Sequence, residues 1–93
     1  MLTYRQRLIE LVSEDQMTLR ELSAEVKLPI KEVLGHMEHV RKSIRPPLRF
    51  NLEPAECLEC GFVFKDRRRL NTPSKCPRCK SNRILEPEFS ILS

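Results

Sequence analysis

Cys57-Leu58-Glu59-Cys60 and, after fifteen intervening residues, Cys76-Pro77-Arg78-Cys79 form two C-x-x-C units. Each unit is a tight turn that offers two sulfurs, and two such turns facing one another complete a tetrahedral set around one ion. With all four ligands from the protein no coordination position stays open. An ion held there cannot activate water; it holds together a segment too short to have a core. Gly61, directly after Cys60, allows the positive φ that turns backbone amides toward the sulfurs. Lys80 stands in the equivalent place after Cys79, which predicts a second turn less regular than the first. Phe62, Val63 and Phe64 are expected to form the first strand of this module.

The spacing favours zinc, with iron in a rubredoxin-like electron-transfer site as the lesser alternative. Two readings use no metal: a pair of disulfides, or a redox C-x-x-C. Disulfides need an oxidising compartment. The N-terminal MLTYRQRLIELV interleaves Arg5, Arg7 and Glu10 with its apolar residues, so it does not read as a signal peptide, and a reducing cytoplasm is the expected location. No apolar run approaches the roughly 18 residues of a membrane span, so no membrane partner is expected. At 93 residues the chain holds at most one ordinary domain, or a small one beside a module with its own staple, which the cysteines supply.

Toward the N-terminus the pattern becomes helical. Thr3-Tyr4-Arg5-Gln6 has the form of a capping box, and Leu8, Leu11 and Val12 follow at helical spacing, predicting a helix over about 3–14. Thr18-Leu19-Arg20-Glu21 is a second capping box, with Met17 ahead of it to pack on Leu22, predicting a helix over 19–26. Pro29 halts that helix and is tolerated in the first turn of a third, about 29–45, which carries Ile30, Val33, Met37, Val40 and Ile44 on one face. Pro46 and Pro47 end it. Leu48, Phe50 and Leu52 then alternate with Arg49, Asn51 and Glu53, as in a strand over 48–53 with one buried face. Ile84-Leu85 and Phe89 to Leu92 read as a second strand pair or an extended tail.

Two short helices joined by a tight turn, the second longer and amphipathic, with a helix before and a strand after, match the helix-turn-helix plan with a wing. In such modules the inward face of the last helix packs the core and the opposite face meets the major groove. A wheel of about 100° per residue centred on Val33 puts Lys31, Gly35, Glu38 and Lys42 farthest from the core, with His39 and Arg45 flanking. Lys31, Gly35, His39 and Lys42 are therefore the candidates for bases or adjacent phosphates. Arg45 and Arg49 at the root of the wing, and Arg67, Arg68 and Arg69 in the cysteine module, are the candidates for the backbone. Glu38 is repelled by phosphate and is expected at the rim. Gly35 inside a helix costs about 1 kcal/mol relative to alanine, so it is either tolerated or offset by close approach to a phosphate or to the second helix. His36 and His39 are assigned no metal, since the cysteines already complete a site.

The formal charge is +4, and four thiolates with one divalent cation bring the metal-bound chain near +2. Distribution matters more. Arg41 to Arg49 carries four basic residues and no acid; Lys65 to Arg83 carries eight against Asp66 alone. Such runs suit a polyanion, or are solvated faces.

Taken whole, the chain resembles the small archaeal predicted transcriptional regulators in which a winged helix-turn-helix is fused to a rubredoxin-like zinc ribbon. Leu22-Ser23 and Val33 to Met37, in the order V-L-G-H-M, look like the helix-turn-helix segment of winged repressors. Pro54-Ala55-Glu56-Cys57 leads into Cys60-Gly61-Phe62, Cys76-Pro77-Arg78-Cys79 is the second knuckle, and the chain ends in a short apolar strand. The resemblance implies an α+β fold: a three-helix winged helix-turn-helix over 1–53, a zinc ribbon over 54–83 inserted in the wing, and a returning wing strand over 84–93. It also implies that Leu48 to Glu53 pairs with Glu86 to Leu92 and that the ribbon projects from between them. Lys27 departs from the glycine that the turn usually carries.

These readings predict a transcriptional regulator that binds double-stranded DNA, as a homodimer because one small module buries too little surface to find a site alone. The alternative is an adaptor whose ribbon docks on RNA polymerase or a ribonucleoprotein; electron transfer ranks third. One tyrosine and no tryptophan argue against stacking on single-stranded bases. No enzymatic activity and no small-molecule substrate are expected, because no nucleophile, base and orienting group pair by motif and the metal is closed.

Overall fold

Thr3 and Thr18 each begin a helix in the way their spacing dictates. The Thr3 hydroxyl accepts from the Gln6 amide at 3.1 Å while the Gln6 side chain accepts from the Thr3 amide at 2.8 Å. Thr18 and Glu21 repeat the arrangement at 3.1 and 2.9 Å. Caps of this kind contribute about 1 kcal/mol each, and they start α1 (Tyr4–Glu14) and α2 (Leu19–Val26). In the computed structural model residues 3–93 are described; Met1 and Leu2, the first residues of the expected 1–53 module, lie outside them.

Lys27 closes α2 in the left-handed conformation, φ 57°, with its N–H on the Ser23 carbonyl. The lysine thus adopts the geometry that glycine would supply, at a cost of about 1 kcal/mol. Ser23 offsets part of it by donating its hydroxyl to the Leu28 carbonyl at 2.5 Å. Pro29 is the N-cap of α3 (Ile30–Ser43), which ends two residues before the expected position 45. Arg45 lies beyond the helix, its guanidinium donating to the carbonyls of Lys42 and Ile44, which the ended helix leaves without partners.

Four short strands follow: β1 (Arg49–Glu53), β2 (Glu56–Cys57), β3 (Ile84–Leu85) and β4 (Glu88–Leu92). β1 pairs antiparallel with β4, from Arg49↔Leu92 to Glu53↔Glu88, and β2 pairs antiparallel with β3. Ile84 and Leu85 are therefore ribbon residues, and the returning strand begins at Glu88 rather than at 84. Phe62 to Phe64 does not become a strand. It forms one bridge, Glu56↔Val63, flanked by hydrogen bonds from Cys57 to Phe62 and from Phe64 to Ala55, because the knuckle on one side and the turn after Phe64 on the other leave no length for more.

The core gathers Leu8, Val12, Leu19, Leu22, Val33, Met37 and Val40 from the helices with Phe89 and Ile91 from β4. Phe50 and Leu52 pack against it from β1. Leu70, from the loop between the cysteine pairs, is fully buried in the same cluster. Full burial of a leucine contributes roughly 1.5–3 kcal/mol. Arg41 of α3 adds a polar tie beside it, donating to the Arg68 carbonyl at 2.8 Å and pairing with Glu38 at 2.7 Å. The ribbon leaves the β1–β4 pair as a continuous insertion, but it does not project freely: it folds back onto the helices and anchors there.

Candidate functional site

All four cysteine sulfurs lie within 4.8 Å of one another. Across the two units Cys57 stands 3.5 Å from Cys79 and Cys60 3.6 Å from Cys76, as two opposed turns require. Zinc–sulfur bonds of about 2.3 Å put tetrahedral sulfurs about 3.8 Å apart, whereas a disulfide needs about 2.0 Å. The donor set therefore fits one ion and no disulfide. Cys57 and Cys76 point inward and are buried; Cys60 and Cys79 close the site at the surface.

The two knuckles share one hydrogen-bond plan. Gly61 donates to the Cys57 carbonyl at 2.9 Å and Lys80 to that of Cys76 at 3.0 Å; Cys57 in turn donates to Phe62 and Cys76 to Ser81. Gly61 has φ 78° and Lys80 φ 65°. The second turn is thus as regular as the first, contrary to the expectation from Lys80: the turn's own bonds hold the lysine left-handed at a cost of about 1 kcal/mol.

Charge in this cluster is limited. Burial raises the Cys76 thiol, but the backbone amides of Cys79 and Arg78, with the neighbouring thiols of Cys60 and Cys57, bring it down to about 6. The Ser81 amide lowers Cys79, yet burial and the other three sulfurs push it up to about 12. Cys60 is lowered by the Phe62 amide but ends raised, chiefly through burial and the Cys76 sulfur. Cys76 forms a thiolate readily, whereas Cys60 and Cys79 need a cation in place of their protons.

Comparison with known proteins agrees with this geometry. Residues 54–93 match the PF0610 rubredoxin-like zinc beta-ribbon domain and residues 3–48 match the PF0610-like N-terminal family. The solution NMR structure of protein PF0610 from Pyrococcus furiosus is 33% identical, covering 97% of this chain and 89% of that one with a TM-score of 0.76. The chain belongs to the PF0610-like zinc-ribbon family. No curated protein matches it. Its four-cysteine site is the structural metal centre of a zinc ribbon. No helix among the described residues of this PF0610-like chain is long and apolar enough to cross a membrane.

The other residues singled out in the sequence divide into two groups. Lys31, Gly35, His39 and Lys42 are exposed along the face of α3 opposite the buried Val33, Met37 and Val40. A Cβ on Gly35 meets nothing within 4 Å, so close approach to α2 is not what places glycine there. Glu38 lies at the edge of that face, half-buried and paired with Arg41. The sequence shows Arg41 only as one charge of a basic run, although its spacing of three from Glu38 is that of a helical ion pair. Arg49 is exposed on β1, whereas Arg45 is engaged with helix carbonyls. Arg67 turns inward and donates to the Asn71 carbonyl and side-chain oxygen, bracing the loop across Leu70. Of the arginine run, Arg68 and Arg69 face solvent. His36 is half-buried with its ring 6.0 Å from that of Tyr4.

Proposed function

We propose that the chain is a DNA-binding transcriptional regulator of the reducing cytoplasm. α2, the left-handed turn at Lys27 and α3 serve as a helix-turn-helix, β1 and β4 as its wing, and the zinc ribbon as an insertion in that wing. The observation that carries this reading is the open face of α3: Lys31, His39 and Lys42, with Gly35 among them, stand clear of the core while the ribbon leans on the Glu38 and Arg41 side. A helix presented in this way enters a major groove with cations toward the phosphates.

Zinc keeps the ribbon folded, and a folded ribbon keeps Leu70 in the core and Arg68 against Arg41. Arg68 and Arg69 are then held at a fixed distance from α3, where they reach the DNA backbone beside the groove rather than base edges. No catalytic step is assigned to any residue.

The test is a gel shift of the zinc-loaded chain on genomic duplex fragments, with competitor DNA, across about 50 to 200 mM salt, where phosphate-driven binding falls steeply. Retention of a few fragments against competitor supports the regulator.

Leu58 and Leu85 favour a second reading. They are 56% and 50% exposed and line one depression between the ribbon and α2, with Arg20 and Glu86. An apolar pair rimmed by charge suits a protein surface, as in an adaptor on the transcription machinery. Absence of duplex binding, with one zinc per chain confirmed, moves the assignment there.

A further inference from the structure

β1 borders a strand on one side only. Met17 takes both backbone hydrogen bonds of Phe89 on the far side of β4. The pair Leu52↔Phe89 therefore carries none across the β1–β4 ladder, and the bonded pairs alternate onto Arg49↔Leu92, Asn51↔Ser90 and Glu53↔Glu88. The N–H and C=O groups of Phe50 and Leu52 consequently point away from β4. Among the described residues nothing hydrogen-bonds to them and no strand lies along this edge. Such a row of unpaired backbone groups is a template for another strand.

We infer that the strand it takes is β1 of a second copy, paired antiparallel about a two-fold axis through Asn51. In that register Phe50 of each copy faces Leu52 of the other, and each such pair exchanges both outward hydrogen bonds. Arg49 faces Glu53 of the second copy at either end, in the closely spaced positions where side chains meet. Asn51 faces itself. Neighbouring registers fail on particular groups. An axis through Phe50 sets Leu52 against Leu48, whose N–H is already given to the Arg45 carbonyl. An axis through Leu52 sets Phe50 against Pro54, which has no N–H to give.

Charge complementarity selects a second copy over an unrelated peptide. Within one chain Arg49 and Glu53 lie four residues apart on a strand, about 13 Å, too far to pair; only a two-fold neighbour brings them together. The product is a sheet in the order β4, β1, β1, β4 across two copies, with an isologous interface. The inference does not rest on DNA binding and is measured without DNA.

Sedimentation equilibrium of the zinc-loaded full chain, from about 10 μM to 1 mM, reads the association directly. A reversible monomer–dimer equilibrium is expected. Arg49→Glu alone, and Glu53→Arg alone, should each raise the dissociation constant roughly tenfold, since two attractive pairs become repulsive. The double variant R49E/E53R should restore association to near the parent value, which a purely intramolecular role for either residue cannot produce. A monomer at every concentration overturns the proposal, and so does a dimer that the single reversals leave unmoved or the double variant fails to restore.

Discussion

The Arg41 guanidinium on α3 donates to the backbone carbonyl of Arg68 in the ribbon at 2.8 Å, and two residues further Leu70 is buried among the helices. The metal module and the helical module therefore share one core. A ribbon that loses its ion has no core of its own and unfolds, withdrawing Leu70 and the Arg68 carbonyl from α3. Chelation of zinc should consequently lower the melting temperature of the helices as well as dissolve the ribbon. Circular dichroism of the helical signal, with and without chelator, measures this; an unchanged helical melt means the modules are independent.

Leu70→Ala isolates the apolar part of that coupling. Truncating a fully buried leucine costs about 2–5 kcal/mol, and the four ligands are untouched, so one zinc per chain should remain. Leu58→Ala, at a residue 56% exposed, should stay within about 0.5 kcal/mol. Denaturant unfolding of both variants gives the comparison; equal losses would show that Leu70 does not anchor the ribbon.

Acid should release the metal, with a sign that the thiols determine. Ligand sulfurs are held as thiolates by the ion, so their bound-state pKa lies below the usual thiol value; the stability this brings is present above that value and is lost as pH falls through the bound-state pKa. While the four thiols stay gathered without the ion, Cys76 is down at about 6 and Cys79 up at about 12. Near neutral pH the ion must therefore displace a proton from Cys79 but largely finds Cys76 already deprotonated. Below about pH 6 Cys76 also carries a proton, and zinc affinity should fall more steeply by about one proton per ion. Calorimetric titration in buffers of different ionisation enthalpy counts those protons. A count that does not change across pH 6 means the cysteines are not brought together before the ion binds.

What was legible in the sequence was local. The C-x-x-C spacing, the two threonine capping boxes and Gly61 each state their geometry within a few residues, and the structure repeats it. What was hidden depends on distant partners. Met17 looked like a residue to pack on Leu22, yet its backbone also bridges Phe89, seventy-two positions on. Leu70 stood in a basic loop with no periodicity around it, so nothing local announced a core residue. Arg67, Arg68 and Arg69 read as one charged run, but the Asn71 side chain turns Arg67 inward. Lys27 and Lys80 occupy left-handed positions that a propensity argument gives to glycine, because the bonds of each turn outweigh a penalty of about 1 kcal/mol.

Gly35 and Lys42 together separate stability from recognition on α3. Open space surrounds the Cβ position of Gly35, so Gly35→Ala should stabilise the free chain by up to about 1 kcal/mol through helix propensity alone. If the open face enters a groove, the added methyl meets DNA, and the more stable variant should bind its preferred fragments less tightly. Lys42→Ala should instead weaken all duplexes alike and reduce the slope of log affinity against log salt by about one. Thermal melts and salt-dependent gel shifts on both variants read the two effects separately. A Lys42→Ala variant whose sequence preference changes while its salt slope does not would place that lysine on a base and not on a phosphate. A Gly35→Ala variant that gains stability with unaltered DNA binding would take this face of α3 out of the groove.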